Sequence, residues 1–464
     1  MDSSVKRRLT LGFISNWISR LASTIIQLVQ VPVFLHFWTV PLYGEWMIVN
    51  SIPSYLSFSN IGFGSVAGNE MTMMVARDDR KGALRVFQSC WWFIAMTCTA
   101  VIAMLSGVLY YVPAARLLKL HNISPSDAKW IIFYLGVAVM LGQFEQLLQS
   151  AYRCVGRYPY GSFIKSMFSL FAFACMILAV CFGSGPRTTA LVFASANVSV
   201  TVLLCILVRR DIPWIEFGWN HASFAEIRAL ARPAIAFMGF PIGNALSLQG
   251  ALLAVGYALG PTAVVIFGTA RTVSRVALQM VSMVNGTFEP EMTIAYGAGN
   301  IPLTRTLLRR ACQLALIVSS VVVLCMMTFG PWFLHHWTGG HVPPSRTLLD
   351  ILLCVVILYA LWSTSSTLMY STNQHQKLAA YYIISTGMSC CLCYFLARSF
   401  GLYGAAASLL VSELVMNMYV IPASLRIADD TLSAFLASML TYPKSLRPGA
   451  LLARVRRSRP GLES

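Results

Sequence analysis

Two arginines stand inside an apolar run long enough to cross a membrane, and few folds accommodate that. From Pro261 to Glu291 the chain reads PTAVVIFGTARTVSRVALQMVSMVNGTFEPE, with Arg271 and Arg275 near the middle. At about 1.5 Å per residue, both fall roughly half-way through a hydrocarbon layer of about 30 Å. Being four positions apart they share a helix face, which continues through Gln279 (or Leu278) and Ser282. A guanidinium turned to lipid at that depth costs at least about 2.5–3.5 kcal/mol. The pair therefore predicts a helix with one face on a wet interior and other helices to enclose it.

The rest of the chain supplies those helices. Hydrophobic residues make up 57% and charged residues only 11%, under half the share of about 25% usual in soluble chains. This is the composition of an all-α polytopic membrane protein. Hydropathy places about twelve transmembrane helices: 9–37, 44–75, 86–112, 128–150, 161–183, 188–208, 230–257, 262–293, 311–330, 347–371, 378–398 and 403–425. Lys6-Arg7-Arg8 leads into the first apolar run, which is too long for a signal peptide, so that helix is expected to be retained.

Connections alternate between basic and nearly uncharged. One set, with both termini, holds about 25 Lys and Arg residues against about 6 in the other, which assigns the basic set and both termini to the cytoplasm. The chain is expected in a membrane with both termini on its cytoplasmic side. The same asymmetry accounts for the net charge of +17. The charges lie at loop ends, without a patch of stacking aromatics, so the basic partner is lipid and not nucleic acid. Apart from Cys390 and Cys393, three apart inside an apolar span, the 12 cysteines form no CxxC pair and no Cys/His cluster, so no disulfide framework, metal or cofactor is expected. Trp38, Tyr43, Trp46, Tyr110, Tyr111, Trp130, Trp332 and Trp337 sit at the expected span ends and read as an interfacial belt.

The longest connection falls near the chain midpoint, giving a six-helix lobe at 1–210, a cytoplasmic connection at 211–229, a second six-helix lobe at 230–427 and a basic tail at 428–464. Pro41 and Pro261, about 220 residues apart, follow the first and seventh spans and echo one another. Two such lobes enclose a central cavity with its ligand site at mid-depth.

Several spans carry polar stripes facing that cavity. Asn16, Arg20, Ser23, Gln27 and Gln30 recur at spacings of four and three on the first span. The second carries Asn50, Ser54 and Ser57; the fourth Gln143, Glu145, Gln146 and Gln149; the seventh Asn244, Ser247 and Gln249. Arg20, Arg271 and Arg275 are the cationic candidates for substrate binding, with Asn16, Gln27, Asn50, Gln146, Asn244 and Gln279 lining the cavity. Glu145 and Glu413 are candidate charge partners or ion-coupling sites, with Glu145 the foremost partner for Arg20. Amides and hydroxyls also serve interhelical hydrogen bonding. Asp78-Asp79, an adjacent acidic pair among Arg77, Arg80 and Lys81, reads as a solvated turn.

The passages SNWISRLASTIIQLVQVPVFLHFWTVPLYGEWMIV and SNIGFGSVAGNEM resemble bacterial polysaccharide flippases of the Wzx type, within the multidrug/oligosaccharidyl-lipid/polysaccharide (MOP) exporter superfamily. The resemblance rests on Arg20, Pro32, Tyr43-Gly44-Glu45-Trp46, Gly62-Phe63-Gly64 and Gly401-Leu402-Tyr403-Gly404-Ala405-Ala406. Trp38-Thr39 departs from the Leu-Gly common in relatives. The resemblance implies two six-helix lobes opening alternately to either side and a substrate of undecaprenyl-pyrophosphate-linked oligosaccharide. It also implies polysaccharide-assembly membrane proteins as partners. Arg20 matches the first-span arginine; Arg271 and Arg275 match by span and depth. The alternatives are a multidrug or cation antiporter, which would place acids at the cavity centre, and a membrane polysaccharide polymerase, an enzyme that needs an aspartate-rich site or a large loop.

Overall fold

The computed structural model describes residues 3–57, 63–237, 239–343, 345–372 and 375–440; the side chains of 3–18, 65, 232–237, 290, 294, 371, 375, 376 and 440 lie outside that description. All regular structure among these residues is helical. In chain order the helices are α1 (Ser3–Phe37), α2 (Val40–Leu56), α3 (Phe63–Ala76), α4 (Arg80–Tyr111), the short α5 (Ala114–Leu117), α6 (Pro125–Cys154), α7 (Tyr158–Cys181) and α8 (Pro186–Asp211). A second series follows: α9 (Phe224–Phe237), α10 (Gly239–Ala245), a π turn (Leu246–Gly250), α11 (Ala251–Leu259), α12 (Pro261–Gly297), α13 (Ile301–Trp337), α14 (Arg346–Ser371), α15 (His375–Ile427) and α16 (Leu432–Leu440). Ten stretches are long and apolar enough to cross a membrane. One of them runs through two expected spans, since α15 joins them across a kink at Gly401, whose φ of 62° suits glycine. The second span is divided between α2 and α3; Gly62 lies outside the described residues.

Helix starts follow their capping residues. Ser124 Oγ accepts the Asp127 N–H at 3.0 Å and donates to Asp127 Oδ2 at 2.8 Å, opening α6. Asp79 Oδ1 accepts the Gly82 N–H at 2.8 Å and opens α4. The Asp78-Asp79 pair is thus a turn and cap, as its basic neighbours suggest.

The chain forms two compact units. Unit 1 comprises Met1–Thr272, Pro331–Leu348 and Tyr382–Ser408; unit 2 comprises Val273–Gly330, Leu349–Tyr381 and Leu409–Ser464. Inside unit 1, α6 is the central helix, packed against α2, α3, α4, α7 and α8. Trp38, Tyr43 and Trp46 are buried here with Phe34 in one aromatic cluster. They are therefore core residues and not members of an interfacial belt: α2 begins against α6, so its first turn has protein where a belt residue has headgroups. Tyr110, Tyr111, Trp130 and Trp332 do stay exposed.

In unit 2, α16 is held to the start of α13. Arg309 donates from Nε to Asp430 Oδ2 at 2.8 Å and from Nη2 to Oδ1 at 2.5 Å. Arg305 reaches Asp429 and the Ala428 carbonyl, Gln313 donates to the Ser438 carbonyl, and Phe435 is buried against Met292, Leu308 and Cys312. Burial works to push the Asp430 carboxyl up, but the Arg309 hydrogen bond, the Thr431 N–H and the charges of Arg309 and Arg305 outweigh it and hold it below the usual carboxylate range. A depressed native pKa stabilises docking above the unfolded value of about 3.9, and the gain is lost as pH falls through the lower native value. Asp430→Asn should therefore free α16 at neutral pH at a cost of about 2 kcal/mol. Hydrogen exchange of the 432–440 amides checks this: exchange should accelerate in the variant, while wild-type exchange should hold from neutrality to about pH 5.

Candidate functional site

The polar residues of unit 1 gather in two places. In the first, Arg271 on α12 donates from Nη2 to Ser247 Oγ at 3.0 Å and from Nη1 to the Leu248 carbonyl at 3.3 Å. Both acceptors sit in the π turn. Such a turn widens the helix and takes a carbonyl off the regular ladder, and π turns recur at functional sites. These two bonds hold the Arg271 fork in one orientation. Its guanidinium also lies 5.9 Å from the Phe267 ring.

The second is a cavity of about 220 Å³ lined from α1, α2, α6, α7 and α8, with Gln30, Asn50, Ser169 and Asn197 among its polar groups. Asn50 is the expected lining residue that lies here. Gln27 is half-buried one turn from Gln30. The side chain of Asn16 lies outside the described residues. Gln146 packs on Gly64, where an added methyl would approach its Cγ to 3.0 Å. Asn244 is exposed on α10, and Arg20 is exposed on α1.

Glu145, the foremost candidate partner for Arg20, is buried, and Thr201 Oγ1 donates to its carboxylate at 3.4 Å. Lys165 lies two turns inside α7 and is half-buried. Arg275 and Gln279, half-buried on α12, fall in unit 2. So does Glu413, whose carboxylate accepts the Trp362 indole N–H. Unit 2 also contains buried hydroxyls that the stripes did not reveal. Thr364 donates to Asn285 Oδ1 at 2.7 Å, and Asn285 Nδ2 donates to Ser363 Oγ at 3.0 Å. Their only sequence signal is the run Ser363-Thr364-Ser365-Ser366-Thr367.

At the end of unit 1 that carries the weakly charged loops, residues from early and late in the chain interlock. Pro32 has no N–H, which leaves the Leu28 carbonyl without its helical donor; the Trp337 indole donates to it at 2.7 Å. Lys119 donates to the Tyr257 carbonyl at 3.1 Å and lies 4.0 Å from the Tyr257 ring centre. Gly44 abuts the Pro261 carbonyl, where an added methyl would collide. Glu45, fully buried, accepts the backbone N–H groups of His121, Asn122 and Ile123 at 2.7–3.0 Å. Each residue of the Tyr43-Gly44-Glu45-Trp46 stretch thus has a packing or hydrogen-bonding reason to be what it is.

Comparisons with solved structures follow from this geometry. An inward-facing multidrug resistance MATE family transporter of the MOP superfamily superposes with a TM-score of 0.69 at 15% identity, covering 89% of this chain and 99% of that one. An outward-facing one superposes at 0.63 with 14% identity, covering 93% and 97%. A MATE structure in complex with MaL6 gives 0.58 at 13% identity, covering 91% and 97%. The chain has the MATE fold. That fold is the twelve-helix, two-lobed arrangement expected from hydropathy. No protein-family model matches the sequence, and no curated protein matches it.

Trp337→Phe should destabilise the protein by about 1–3 kcal/mol through loss of the bond to Leu28. The penalty should shrink in Pro32→Ala, because residue 32 then supplies the helical N–H that Leu28 lacks. Thermal unfolding of the double-mutant cycle in detergent measures this.

Proposed function

We propose that this chain is a MOP-superfamily transporter that moves undecaprenyl-pyrophosphate-linked oligosaccharide from the cytoplasmic to the periplasmic leaflet of the bacterial inner membrane during polysaccharide biosynthesis. The lobes are residues 1–210 and 230–427, joined by 211–229, with both termini and the tail 428–464 in the cytoplasm. The observation that carries the proposal is Arg271, whose fork is oriented by a hydroxyl and a carbonyl of the π turn. A diphosphate is the group that such a fork suits, since its oxygens accept paired N–H bonds. Arg275 follows one turn along α12, and Arg20 adds a third cation on the first span. Asn16, Gln27, Asn50, Gln146, Asn244 and Gln279 are the proposed partners of sugar hydroxyls. The polyprenyl tail stays in the bilayer while the head group crosses, so the interior offsets only the head group's desolvation. Other polysaccharide-assembly membrane proteins are the proposed partners.

A second reading, a multidrug antiporter, is favoured by the printed names of the fold's neighbours, which are multidrug resistance transporters. Acids weigh against it. Of the two candidates, Glu145 accepts from Thr201 and Glu413 from the Trp362 indole, so both carboxylates are engaged by protein donors.

Translocation in proteoliposomes, scored by the leaflet accessibility of a lipid-linked glycan, tests the proposal. Arg271→Ala and Arg275→Ala should each lower the rate at least about tenfold with protein levels unchanged, and Arg271→Lys should restore only part of it. Full transport in both alanine variants would remove the assigned role; drug efflux without glycan movement would establish the antiporter.

A further inference from the structure

The cavity in unit 1 has a chemical character of its own. Its polar groups are amides and a hydroxyl, with no charged side chain in the lining, and its walls include Trp46 and Phe193. At about 30 Å³ per water, 220 Å³ holds about seven waters, or one six-membered sugar ring with its hydroxyls.

The amides show what such a guest must offer. Asn197 commits its Nδ2 to the Phe193 carbonyl at 2.7 Å, which leaves its Oδ1 as an acceptor. Gln30 and Asn50 add groups that both donate and accept. A ligand that is uncharged, donates and accepts at several points, and presents C–H faces to aromatic rings matches this lining. A cation would meet no carboxylate and a phosphate no guanidinium.

The geometry points to a subsite for one neutral pyranose ring inside unit 1, distinct from the arginines and holding a sugar of the glycan. This rests on the glycan-transport reading above and adds where, and by what chemistry, a sugar is recognised. Gln30, Asn50, Asn197 and Ser169 are its specificity-determining residues. The subsite discriminates by neutral hydrogen bonding, so a uronic acid ring is excluded for want of a cation.

Saturation-transfer NMR on the full chain in nanodiscs tests the subsite directly, with glucose, galactose, rhamnose, N-acetylglucosamine and glucuronate as probes. At least one neutral sugar should show transfer at a Kd of about 1 mM, and glucuronate should show none. Asn50→Leu and Ser169→Trp should each weaken the signal at least about tenfold. Ser169 is exposed at the cavity wall, so the tryptophan fills the space without disturbing the core. Absence of transfer from all neutral sugars, equal transfer from glucuronate, or signals unmoved by both variants would overturn the subsite. The same variants in the translocation assay separate the two ideas. Sugar binding without any wild-type glycan movement would retain the subsite and sink the flippase; wild-type movement unaltered by both variants would sink the subsite alone.

Discussion

A charge in hydrocarbon has to be given either water or partners, and the arginines of α12 impose that condition on everything around them. One guanidinium facing lipid would forfeit a sizeable part of the few kcal/mol by which a domain is stable. Arg271 meets the condition in part with a carbonyl and a hydroxyl from a π turn, which orient its fork. Replacing those acceptors with a carboxylate would neutralise the side chain and remove its capacity to attract an anion. The π turn is thus as much part of the candidate site as the arginine.

Helix irregularities elsewhere serve a related purpose. Pro32 frees the Leu28 carbonyl, and an indole from far along the chain takes it. Gly44 lets the backbone at Pro261 approach closely, and Glu45 gathers three backbone N–H groups ahead of α6. In a membrane an unsatisfied backbone group costs several kcal/mol, so each freed carbonyl or N–H must find a donor or acceptor from another element. These bonds join segments hundreds of residues apart at one end of unit 1.

Much of this could be seen in the sequence because membrane depth turns composition into position. The helical class, the spans and the polar stripes follow from hydropathy and 3.6-residue periodicity. Partner identity does not follow, since it depends on which helices meet. Lys165 lies near the start of an apolar run, yet it ends up half-buried two turns inside α7. Trp46 looked like a belt residue because it too lies near the start of such a run, yet it is buried beside a polar cavity. The hydroxyls of α14 were hidden because serine and threonine pass unnoticed in an apolar helix, where they bond to their own backbone as readily as across it.

Water access along α12 is the most direct test of the central claim. In a chain with its 12 native cysteines replaced, single cysteines at 271, 273, 275, 277 and 279 can be probed with a charged, membrane-impermeant thiol reagent. Positions 271, 275 and 279 should react, and 279, where both arginines are kept, should be protected by added lipid-linked diphosphate, while the buried positions 273 and 277 should stay unmodified. Equal reactivity around the helix, or silence at 271 and 275, would contradict a wet, cationic face.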